Sequence, residues 1–137
     1  MPATQLNFER LLQYDPGEAG VTVDVTLRLV GDSTTFVAKV DTGSSYCIFE
    51  RRHGEALGIA IETGLFQPIS TANGRFIAYG HQITLLVADF EFDSMIYFAA
   101  DLSIIRNVLG RHGWLERVVL GIVDYEGKLL LSRYNTP

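Results

Sequence analysis

Thr35-Phe36-Val37-Ala38-Lys39-Val40 runs straight into Asp41-Thr42-Gly43-Ser44-Ser45, and the reading of that junction decides the fold. The first six residues include β-branched and aromatic side chains and favour an extended strand. The next five are turn formers, so the chain leaves the strand abruptly and presents a carboxyl group at its end. Gly43 leaves the backbone unhindered for that turn. The hydroxyls of Thr42 and Ser44 can bond to backbone and carboxylate oxygens and so fix the acid's orientation. A carboxyl group placed in this way gains its chemistry from a second one nearby. Two acids at close range share one proton, because both cannot ionise cheaply; one then takes a proton from water while the other donates to a carbonyl under attack. The junction occurs only once in the 137 residues.

Outward from it, the chain reads mostly as strands. Residues 21–30 alternate, with Val21, Val23, Val25, Leu27 and Leu29 on one face, the period of a half-buried strand. Gly31-Asp32-Ser33 is a hairpin signal that returns the chain toward Asp41. Tyr46-Cys47-Ile48-Phe49 continues as strand, and residues 50–57 suit a helix stopped by Gly58. Residues 83–87 and 95–99 are apolar strands with residues 89–93 as the turn between them. Strands at 120–123 and 128–134 flank a turn at Asp124-Tyr125-Glu126-Gly127. Many short strands with one or two short helices indicate an all-β barrel or sandwich.

The Asp-Thr-Gly-Ser tetrad at a strand-to-loop junction resembles that of the aspartic proteases. Asn107-Val108-Leu109-Gly110-Arg111 is similar to the apolar-apolar-Gly-Arg segment that, in the retroviral-type members, closes the fold behind the active-site loop and leads into a short helix. Gly113-Trp114-Leu115-Glu116-Arg117-Val118 can form that helix. Small residues at this point let the backbone pass close under the loop bearing Asp41. A second Val119-Leu120-Gly121 lies inside a strand-like run, so the motif is assigned to Gly110, with Leu109 and Arg111 beside it. The resemblance implies an all-β, closed, single-domain retropepsin-like barrel at residues 21–137. Residues 1–20 then form an N-terminal extension, available for a dimer interface.

The resemblance also implies a function, that of an aspartic endopeptidase. Asp41 would activate water, Thr42 would brace two loops across a two-fold axis, and Ser44 would bond to the outer oxygen of Asp41, shifting activity toward acid. Two-lobed members carry one Asp per half, but this chain is too short for two lobes of that type and holds no second tetrad. The expectation is a homodimer in which Asp41 meets its own copy, with residues 6–14 and 129–134 as interface candidates. The alternative is a catalytically silent homodimer that binds a peptide or protein. Pro68 to Tyr79 contains Asn73-Gly74, a strong hairpin signal. It is either an ordinary surface hairpin or, by the resemblance, a flap over the substrate, in which Ser70, Thr71, Ala72, Asn73, Gly74 and Arg75 would contact it. Phe76 and Ile104 are further contact candidates. The retroviral Arg pairs with an acid just after the tetrad; Ser45 stands there, so Arg111 must find another partner, Glu50 or solvent.

Composition sets outer bounds. A formal charge of −5, with eleven Lys and Arg scattered along the chain, gives no basic footprint for nucleic acid. No apolar run is long enough to cross a bilayer, and residues 1–15 lack the apolar core of a secretory signal. The lone Cys47, among Tyr46, Ile48 and Phe49, reads as a small buried side chain. With no disulfide partner for it, a cytoplasmic setting is the expectation. His53, His81 and His112 show no ligand spacing, so no metal or organic cofactor is expected. Trp114 reads as a core aromatic.

Overall fold

The computed structural model describes residues 2–135. It contains ten strands: β1 (Arg10–Gln13), β2 (Thr22–Leu29), β3 (Asp32–Val40), β4 (Ile48–Phe49), β5 (Leu65–Thr71), β6 (Gly74–Val87), β7 (Phe90–Ala99), β8 (Val108–Leu109), β9 (Val118–Val123) and β10 (Lys128–Arg133). A single short helix, α1 (Arg51–Glu55), and three 3-10 turns complete it. Seven strands form one sheet in the order β2-β3-β8-β4-β7-β6-β5, and an added β2–β6 pairing closes it into a barrel. The remaining three form a small sheet, β1-β10-β9.

The alternation in β2 does what its period demands. Val23, Val25 and Leu27 are buried while Asp24 and Arg28 are exposed, so one face of the strand enters the barrel. Phe49, Phe98, Leu85, Ile96 and Trp114 fill the interior with no more than traces of exposure. Each such side chain contributes roughly 1.5–3 kcal/mol through burial. A smaller cluster of Ile48, Ile69, Ala78, Tyr97 and Val108 packs beside it.

Several boundaries differ from the sequence expectation, each for a local reason. The first hairpin turns at Val30-Gly31, because Leu29 already pairs with Asp32. Val30 has φ 46° and Gly31 φ 85°, the doubly positive geometry that matches strand twist in two-residue turns. The turn between β6 and β7 is likewise only Ala88-Asp89, at φ 52° and 68°, so residues 90–93 are strand. At the β5–β6 tip the turn residues are Ala72 and Asn73, and Gly74, at φ 136°, opens β6 opposite Thr71. Tyr46 and Cys47 stay outside β4, since the loop has to cross β8 there. The expected helix at 113–118 shrinks to a 3-10 turn, Leu115–Arg117, and the helix at 50–57 to Arg51–Glu55, with Gly58 at φ 77° ending the turn that follows.

The chain's N-terminal stretch is woven into the fold. β1 pairs antiparallel with β10 of the same chain, Leu12 opposite Leu129, and Tyr14 is buried in the main core. Phe8 lies over Gly121, where a Cβ would come within 2.9 Å of its ring.

Val30 is β-branched, 95% exposed and held at positive φ, a conformation that costs an L-residue roughly 1–2 kcal/mol. Val30→Asn creates an Asn-Gly turn and should raise the unfolding free energy by about 1 kcal/mol. Urea denaturation with an unchanged slope checks it.

Candidate active site

Asp41 stands where β3 ends. β3 runs parallel to β8, with Val40 opposite Leu109, and the Asp41 N–H donates to the Leu109 carbonyl at 3.0 Å. The ladder therefore extends to the acid itself. The chain then folds back: the Gly43 N–H donates to Asp41 Oδ1 at 3.0 Å and the Ser44 N–H to the Asp41 carbonyl at 3.1 Å. Such a turn fixes one carboxylate oxygen against the backbone. The other oxygen, Oδ2, lies 3.7 Å from the Arg106 guanidinium, and the Asp41 side chain is 37% exposed.

Gly110 is the reason the loop can take this path. β8 runs between β3 and β4, and the 41–47 loop crosses it with almost no clearance. A Cβ on Gly110 would lie 2.2 Å from the Tyr46 carbonyl oxygen and 2.7 Å from that of Ser44. The closeness is used for bonding, since the Arg111 and His112 N–H groups donate to the Ser44 and Ser45 carbonyls, each at 2.9 Å. Leu109 is fully buried beneath.

One sequence expectation fails here, and one left open is decided. The Ser44 hydroxyl is buried and donates to the Tyr46 carbonyl at 2.7 Å, bracing the loop rather than the carboxylate, whose Oδ1 already accepts from Gly43. Of the two partners left open for Arg111, Glu50 and solvent, it meets solvent: it is exposed, and Glu50 pairs with Arg52 and His53 instead. Glu50 is engaged elsewhere: Asn107 Nδ2 donates to it, the Glu50 N–H donates to Asn107 Oδ1 at 3.0 Å, and Arg52 Nε donates at 3.2 Å. Burial pushes the Glu50 carboxyl up, but these hydrogen bonds and the charges of Arg52 and His53 outweigh it and hold it below its usual value. The pair clamps Asn107, and with it the segment leading into β8. Thr42 is exposed.

Between the loop and the β5–β6 hairpin lies a cleft of about 220 Å³. Ser44, Tyr46 and Ile48 form one wall, Ile69 and Ser70 the other, and Arg106 lines it as well. Of the hairpin residues singled out from sequence, Ser70 reaches this cleft. Thr71, Ala72, Asn73, Gly74 and Arg75 lie farther along, toward the tip. Phe76 packs against the small core cluster and Ile104 is half-buried. Three roomier hollows, of about 630, 680 and 410 Å³, contain no residue of the 41–45 loop, so size alone would point away from the acid. Sequence reasoning misses Arg106, although it stands immediately before Asn107-Val108-Leu109 and the parallel β3·β8 register brings it to the acid.

The other candidates are structural. Cys47 is fully buried, and burial pushes its thiol up to about 12, so it is no thiolate nucleophile at neutral pH. Trp114 is fully buried, and His53 stacks on Phe36 at 3.8 Å between ring centroids. Among the described residues no cluster of His, Cys, Asp and Glu is suited to a metal ion.

The comparisons agree with this geometry. A family model described as aspartyl protease matches residues 23–122, more than half of the chain. Among solved structures, the EIAV protease complexed with the inhibitor HBY-793 is similar, with a TM-score of 0.55 and 18% identity, covering 73% of this chain and 88% of that one. At that identity the likeness concerns the fold alone, which is retropepsin-like. No curated protein matches the chain.

Gly110→Ala should destabilise the protein by about 2–4 kcal/mol, because both clashing atoms are backbone carbonyls of a braced loop. Thermal unfolding measures it, and Gly58→Ala, a site of positive φ with open space around it, should cost only about 1 kcal/mol.

Proposed function

The chain belongs to the aspartyl protease family, and on that premise we propose that it is an endopeptidase whose active site forms between two identical chains. The observation that carries the proposal is Asp41: a partly exposed acid, pinned at one oxygen by Gly43, beside an open cleft, with no second tetrad in the sequence. A two-fold axis at the 41–45 loops brings Asp41 against its copy. The pair then shares one proton, the ionised member takes a proton from water, and the protonated member donates to the carbonyl of the scissile bond. Collapse of the tetrahedral species returns a proton to the leaving amine.

The surrounding residues have supporting roles. Thr42, exposed on the loop, braces it against its counterpart. Gly43 and Ser44 hold Asp41 through the backbone, and Leu109, Gly110 and Arg111 hold the loop from below. The substrate lies extended in the cleft. β5 is the edge strand of its sheet, so its outer backbone groups are free to pair with a peptide, except at Pro68, which has no N–H. The hairpin beyond Ser70 then acts as the flap. The outer edge of β1 offers a second contact between the chains.

Mixing wild type with Asp41→Asn tests the shared site. After equilibration at equal concentrations, about a quarter of the dimers carry both acids, so peptide cleavage should fall to about a quarter of the all-wild-type rate. A fall only to about half would show a site complete within one chain. Equal cleavage of a diverse peptide pool by the two separate proteins, or none by either, would remove the peptidase reading.

A further inference from the structure

Arg106 is a cation with few partners in a place where cations are costly to leave idle. Its Nε is shut off from solvent and, among the described residues, has no hydrogen-bond partner. Its side chain is 32% exposed, and its one ionic neighbour among the described residues, Asp41 Oδ2, is 3.7 Å from Nη2, beyond hydrogen-bonding distance. Among the described residues lining the cleft, Arg106 alone carries a charge. Apart from Asp41, no acid among the described residues lining the cleft competes for the guanidinium.

Charge counting sharpens this. An acid pair that shares one proton carries a single negative charge, whereas a two-fold site holds two copies of Arg106. The assembled cleft is thus short of negative charge. A guanidinium presents its N–H groups as a planar fork that matches a carboxylate in a two-point contact, and here the part-exposed terminal groups, not the shut-off Nε, offer that fork to the cleft. Ile48 and Ile69 in the same cleft suit the methylene stem that carries a carboxylate. We infer that Arg106 is a specificity-determining residue that selects peptides with an acidic side chain, Glu or Asp, at a position flanking the scissile bond. The inference rests on the proposed peptidase reading, and deepens it by naming a substrate class.

The test uses octapeptides identical except for Glu, Gln or Lys at the two central positions, with wild type, Arg106→Leu and Arg106→Glu. Wild type should favour Glu over Gln by about tenfold or more in kcat/KM, the scale of one two-point charged contact. Arg106→Leu should bring the ratio near one, and Arg106→Glu should turn the preference to Lys. A wild type that treats Glu and Gln alike overturns the inference. So does an Arg106→Leu variant that loses rate equally on all three peptides, since Arg106 would then act through Asp41. Binding of the same peptides to Asp41→Asn, followed by calorimetry, separates this inference from the peptidase reading. Without any cleavage, a Glu preference in binding that disappears in Asp41→Asn/Arg106→Leu still supports the selection, and its absence overturns it.

Discussion

The structure depends on one close approach, the passage of Gly110 beneath the Ser44 and Tyr46 carbonyls. Everything distinctive about the site follows from it. β8 can lie between β3 and β4 only if the 41–47 loop crosses it, and the loop can cross only where no Cβ intervenes. Once it does, four N–H groups from Asp41, Ser44, Arg111 and His112 find carbonyls across the crossing or within the loop. Each bond contributes roughly 0.5–1.5 kcal/mol, and each would be an unsatisfied group if the loop lifted. The Asp41 backbone is therefore held by bonds on both sides of the turn.

Beneath that crossing the packing is graded. The main core, with Trp114, Phe49 and Phe98, is independent of the cleft, whereas the smaller cluster of Ile48, Ile69, Val108 and Tyr97 carries cleft residues on its outer surface. Ile48 and Ile69 belong both to that cluster and to the cleft wall. Movement of the hairpin at Ile69 must then disturb packing beside Asp41, so the two sides of the cleft are mechanically linked. Glu50 adds a second link, since its bonds to Asn107 fix the segment carrying Arg106 to the start of α1.

The architecture was legible where local chemistry acts alone. The alternation of β2, the tetrad, the Leu109-Gly110-Arg111 segment and the burial of Cys47 and Trp114 all follow from residue type and spacing. The misplaced turns had another cause. Val30 and Ala88-Asp89 adopt positive φ without the glycine or asparagine that would announce it, because strand pairing on both sides fixes a two-residue turn whatever occupies it. Sequence directs the Ser44 hydroxyl to the carboxylate because it shows which groups can bond but not which acceptor is left over. Here the leftover was the Tyr46 carbonyl. Arg106 was invisible for a similar reason, since only the parallel pairing of β3 with β8 places it beside Asp41.

Folding and site completion thus make different demands on the chain. The barrel closes on itself through β2–β6, and the β1-β10-β9 sheet is assembled from one chain, so the described core leaves no interior position for a partner to fill. The candidate site is different, for it presents one fixed acid, one under-used guanidinium and an open cleft. If the second acid comes from another copy, association adds nothing to the core and serves to bring charges together. The contact region then holds groups that are individually unfavourable to bury: the carboxyl of Asp41 and the guanidinium of Arg106. Compensation between these charges is then one term in the association, beside whatever apolar surface, such as the exposed Leu102 and Ile105 near Arg106, the two chains cover. A substrate that supplies the missing negative charge would tighten that same contact.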